Sequence, residues 1–129
     1  MGLLLALLCF VSCRQMNDVH LLHLAEKQVE MNVDSIYVLL AQIEKPSQLS
    51  GEDRLLYGWL NAYVHYKWQN SMTEDSLLLP ASGYYAFCND TVKNLLSYQL
   101  KAWYWYWLKK HEQCIAAIDS GIALAKALQ

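Results

Sequence analysis

His20 and His23 stand three residues apart, a spacing that sets two imidazoles on one helix face and makes them a candidate metal pair. No third ligand stands at a supporting distance along the chain, so the plainer reading is two surface histidines and no metal. Cys88 and Cys114 are the cysteines left once the first thirteen residues are set aside. Outside the cytoplasm they could join as a disulfide between the end of a fourth helix and the start of a sixth. A buried free thiol is the commoner state, and neither has a Cys-x-x-Cys partner. The chain lacks a Gly-x-Ser-x-Gly elbow, a phosphate-cradling glycine loop and a His-Glu-x-x-His pair. Glu52, Asp53, Glu74 and Asp75 fall at expected helix starts, where the dipole favours a carboxylate without any acid–base role. The expectation is therefore no catalytic site and no cofactor.

The aromatic residues are the feature to explain. The sequence has nine tyrosines and five tryptophans, and Trp103-Tyr104-Trp105-Tyr106-Trp107 is a continuous run. Successive residues of such a run sweep about 500° around a helix, so one face cannot bury them all. Either a central helix is clamped between neighbours, or some rings point outward. In the second case Trp103, Trp105 and Trp107, with Trp59, Tyr63 or Tyr84, would form a binding platform. Rings with polar tips favour protein interfaces, and the same rings could stack on sugar faces. Base stacking would need a basic groove around them.

These residues need elements to hold them. The chain is 129 residues long, 55% hydrophobic and 17% charged, which excludes intrinsic disorder and supplies a core. A formal net charge of −2 argues against a nucleic-acid surface. Two prolines and five glycines suit long helices better than a many-turned β fold. Leu21, Leu22, Ala25, Val29 and Met31 have helical apolar spacing. Asp34 is then expected to cap a second helix carrying Ile36, Leu39, Leu40 and Ile43, ending before Pro46. Ser50-Gly51-Glu52-Asp53 reads as a capping box opening a third helix to about Gln69. A fourth is expected from about Glu74 to Phe87, kinked or shifted by Pro80. Asp90 should cap a fifth through about Lys110, and a sixth follows His111-Glu112. Short connections predict antiparallel hairpins.

Leu3 to Val11 is an almost unbroken apolar run, about half the length a membrane span requires. It fits the apolar core of a signal peptide. Phe10-Val11-Ser12-Cys13 resembles a bacterial lipobox, which implies a diacylglycerol on Cys13 and a mature chain anchored to a membrane with its polypeptide in water. The expected division is a signal segment at 1–13 and a helical domain at 14–129.

Ala102 to Leu108, a polar turn, and then Ala117, Ile118, Gly121, Ala123 and Leu124 resemble a tetratricopeptide unit, in which large residues of one helix meet small ones of the next. Three segments extend the likeness: Asn32-Val33-Asp34-Ser35-Ile36 with Leu39-Leu40, Leu55-Leu56-Tyr57-Gly58-Trp59-Leu60 through Tyr66-Lys67, and Asp75-Ser76-Leu77-Leu78 with Ala81 and Tyr84-Tyr85. In order and spacing these are similar to the N-terminal part of tetratricopeptide-repeat lipoproteins and sensor-regulators of the Bacteroidetes. The resemblance spans about residues 19 to 127. It implies an all-α fold of antiparallel hairpins stacked as a right-handed α-solenoid, about six helices after the signal segment, in the cell envelope facing the periplasm or the cell surface. It further implies a protein or peptide partner. A carbohydrate-binding lipoprotein of a glycan-uptake system, or the sensor portion of a signalling regulator, are the alternatives. Solenoids require polar capping ends, and the sequence stops at Ala127-Leu128-Gln129 without one, so it reads as a truncated array or a short paralogue.

Overall fold

The computed structural model describes the backbone of residues 2–129 and the side chains of residues 2–6 and 16–129. The side chain of Cys13, where a lipid is expected, lies outside the described residues. Among those described, six α-helices follow one another: α1 (Gly2–Glu26), α2 (Val33–Ala41), α3 (Gly51–Lys67), α4 (Leu78–Phe87), α5 (Thr91–Trp107) and α6 (His111–Ala127). A 3₁₀ turn occupies Pro46–Gln48. No strand occurs among them, and the chain is all-α. Each helix packs on the next, and α3 also meets α1 and α5. No helix among the described residues is long and apolar enough to cross a membrane.

The helix starts follow local chemistry, though not always as the sequence suggests. Asn32, not Asp34, caps α2, its side-chain oxygen accepting from the Ser35 amide at 3.1 Å. Asp34 is the second residue of α2 and instead accepts from the Trp68 indole at 3.1 Å. The capping box before α3 does not form: Ser50 makes no capping bond, and Asp53, the residue that would answer it, lies 3.5 Å from the His23 imidazole instead. Asp90 caps α5 as expected, accepting from the Lys93 amide at 3.1 Å. Pro80 moves the start of α4 from Glu74 to Leu78. It then sits in the first turn, where a missing amide costs no helical bond.

Three helix ends repeat one device. After α3, α4 and α5 a residue with positive φ follows the cap: Gln69 (57°), Asn89 (56°) and Lys109 (60°). In each case the amide two beyond the cap reaches back across the turn: Asn70 to the His65 carbonyl, Asp90 to Tyr85 and Lys110 to Trp105, at 2.8, 3.1 and 2.8 Å. This is the Schellman closure, and it satisfies carbonyls the helix leaves over. α1 ends earlier than the apolar pattern suggests, at Glu26 rather than near Met31, and Glu30 in the following turn also has positive φ (67°).

The core centres on α3, whose Leu56, Trp59, Leu60, Tyr63 and Val64 are all buried. They pack with Leu22 of α1, Ile36 of α2, Leu78 of α4, Leu100 of α5 and the loop residue Met72. Gly58 lets the chain before α4 approach closely, since a Cβ there would lie 2.5 Å from that of Leu77. On α1, Leu3, Leu4 and Leu5 are 81, 69 and 64% exposed. Asp18 is the first buried side chain among those described, and its two carboxylate oxygens accept from the Glu44 and Lys45 amides at 3.1 and 3.2 Å. That grip ties α1 to the segment after α2.

Candidate binding groove

The expected aromatic platform separates into core and surface. Trp59 and Tyr63 are buried outright. Their rings stack with centroids 5.7 Å apart, and Trp59 meets the Tyr85 ring edge-on at 6.0 Å. Both polar tips are used internally. The Trp59 indole donates to Ser97 Oγ at 2.8 Å, joining α3 to α5, and the Tyr63 hydroxyl accepts from the Glu30 amide at 3.0 Å. Neither ring can serve a ligand. Trp105 is half-buried and packs against the core, edge-on to Tyr104. Trp107 is 36% exposed at the end of α5, against Tyr106.

Tyr84 opens onto a different concavity. Its hydroxyl donates to Glu52 at 2.6 Å, and that bond pushes its phenol up, the Cys88 thiol adding to the effect. The charges around it are already matched. Lys93 reaches Glu26 at 2.7 Å and Asp90 at 3.1 Å. Burial pulls its pKa down, but these hydrogen bonds outweigh burial and hold the ammonium above its ordinary 10.5. His23 lies 3.3 Å from Glu26 and 3.5 Å from Asp53. This cluster stitches α1, α3 and α5 together. Among the described residues no three His, Cys, Asp or Glu side chains converge on a metal geometry.

Trp103 is, like Trp107, 36% exposed, and the structure gives it companions the sequence reading missed. Its ring lies 6.2 Å from Tyr66 of α3 and 5.3 Å from Tyr106 one turn along α5. Gln99 and Ala102 of α5 and Cys114 and Ile118 of α6 complete a groove of about 480 Å³. A second hollow of about 280 Å³ continues it along the α5–α6 seam, sharing Gln99, Ala102 and Ile118 and reaching Ala117, Gly121 and Ala125. Small residues form the floor, because helices that meet through Ala and Gly leave a trough between their larger flanking side chains. From Cys114 to Ala125 the trough runs about 16 Å along α6, three helical turns. The polar groups in the nearer part are few: the Tyr66 hydroxyl donates to the Gln99 side-chain oxygen at 3.5 Å, and no charged residue lines it.

Cys88 and Cys114 are both free thiols, and the bridge between them is not formed. Cys88 ends α4 on the Tyr84 side, whereas Cys114 begins α6 and lines the aromatic groove. The spacing of Trp103 and Tyr106, one turn apart, was the signal in the sequence that could have paired them. Tyr66 had none, since its approach depends on how α3 lies against α5. No family model matches the chain, and neither a curated protein nor a solved structure is detectably similar to it.

Proposed function

We propose that this chain is a helical-repeat scaffold of the bacterial envelope, held on a membrane by a lipid on Cys13, that binds a protein or peptide in the groove between α5 and α6. The observation that carries this reading is the lining of the groove: Tyr66, Trp103, Tyr106 and Ile118 around an alanine floor, with no charged residue. Such a trough takes apolar side chains of an α-helix or an extended peptide, desolvating them against rings that need little ordering themselves. A sugar brings many hydroxyls and would need more polar partners than Gln99 and two phenols offer. The mechanism is static binding with no covalent step.

The repeated Schellman closures after α3, α4 and α5 support a stacked-hairpin array, because equal turns give successive hairpins similar geometry. Leu3, Leu4 and Leu5 are exposed and Asp18 is the first buried side chain among the described residues, which supports the reading of a leading segment. Selection of displayed random peptides against the protein tests the binding reading. Peptides with apolar or aromatic anchors should be enriched, and Trp103→Ala with Tyr106→Ala should lose them. Retention by that variant, or binding of purified oligosaccharide alone, overturns it. Metabolic palmitate labelling tests the anchor, and equal labelling of wild type and Cys13→Ala refutes it.

A further inference from the structure

We propose that two copies of this chain associate through α6, side by side and antiparallel, about a two-fold axis level with Ser120. Ile115, Ile118 and Ile122 are 58, 47 and 50% exposed. With the half-buried Ala125 they recur at intervals of three, four and three, the seam spacing of a coiled coil. One flank of this seam is already taken, because α6 turns Ala117 and Gly121 toward α5, where Tyr98 lies 3.0 Å from the place of a Cβ on Gly121. The open flank carries Glu112, Asp119 and Lys126, all exposed and spaced by seven.

The charges select the orientation. A parallel partner would bring these charges to the flank that α5 covers, Asp119 against Cys114 and Lys126 against Gly121, with no α6 residue opposite Glu112 and no opposite charge at any of the three. In the antiparallel arrangement open flank meets open flank. Ile118 then faces the second copy's Ile122, and Ile115 faces its Ala125. Glu112 meets Lys126 of the second copy and Lys126 meets its Glu112, while Asp119 meets its own counterpart at the axis. Two attractive pairs stand against one repulsive pair, and an isologous interface of this kind closes on itself as a dimer. The inference does not depend on the peptide reading. Ile118 belongs to both surfaces, so a bound peptide and a second copy compete for it.

Sedimentation equilibrium of the full chain over a range of concentrations is the test. Glu112→Lys turns both attractive pairs repulsive and should weaken association about tenfold. Adding Lys126→Glu to it should restore the wild-type Kd to within about twofold, and Asp119→Asn alone should tighten it about threefold. Ile118→Lys with Ile122→Lys should leave a monomer whose circular dichroism remains helical. A wild-type chain that stays monomeric overturns the proposal. Association that ignores Glu112→Lys, as contacts through the exposed Leu3–Leu5 would, also overturns it. Weakening by Glu112→Lys without rescue by the swap rules out the antiparallel pairing.

Discussion

Two buried polar residues make sharp tests of how this core is held. Ser97 is 1% exposed and is the acceptor for the Trp59 indole. Ser97→Ala strands a buried N–H and should cost about 2 kcal/mol in urea denaturation. Asp75 is buried beside His65, with 2.8 Å between carboxylate and imidazole. Burial lifts its carboxyl above the ordinary 3.8, against the opposing pull of His65. The folded chain therefore keeps this proton to a higher pH than the unfolded chain does. Its contribution to stability is present at low pH and is lost as pH rises through the folded value. An asparagine in its place would keep an acceptor for His65 without ionising. Asp75→Asn should match wild type at pH below the ordinary carboxylate value of 3.8 and become the more stable protein toward neutrality; a wild type that instead gains on the variant as pH rises contradicts this. Of such partnerships little was readable beforehand. The sequence shows that Trp59, Tyr63 and Trp103 are aromatic. Which of them meets water depends on α3 being covered by helices on several sides, and that is a fact about its neighbours.

Among the elements, the helices themselves were legible and their ends were not. Six helices were expected and six are present among the described residues, but α1 begins at Gly2 rather than near Val19, while α3 and α5 each stop two or three residues short of where the pattern fades. The reason is that the terminating positions are Gln69 and Lys109, side chains that rarely take positive φ, rather than the glycine that usually marks such a stop. Lys109→Gly should accordingly stabilise the protein by about 1 kcal/mol, read as a raised urea midpoint with unchanged slope. Gly58 presents the opposite case. Alanine is the better helix former, yet here it would drive a methyl into Leu77, 2.5 Å away. Gly58→Ala should lower stability by about 2 kcal/mol by forcing the segment before α4 off α3; a neutral result would mean that this segment moves freely. Asn32 and Asp34 show a further limit, since two residues of similar capping ability stood two apart, and the one that does not cap accepts from the distant Trp68 indole.

For the whole molecule, cohesion is graded along the chain. α3 buries seven residues, whereas α6 buries only Ala117. Amide hydrogen exchange at low protein concentration should find the deepest protection in α3 and much weaker protection in α6, which opens without the rest unfolding. Uniform protection across α3 and α6 would show a more cooperative body than this burial implies. The all-α character was legible at this scale because it follows from composition and period. The groove was not, because Tyr66 of α3 reaches it from a helix distant in sequence from α5 and α6. The placement of the tryptophans has an optical consequence. Trp103, Trp105 and Trp107 all ride on the last turns of α5, while Trp59 is sealed in the core and Trp68 lies tilted against Tyr37, ring centroids 4.9 Å apart. Trp103 alone of the five lines the groove, so an occupant there should change the colour and quenching of its share of the emission without any attached dye, against the steady background of the enclosed Trp59.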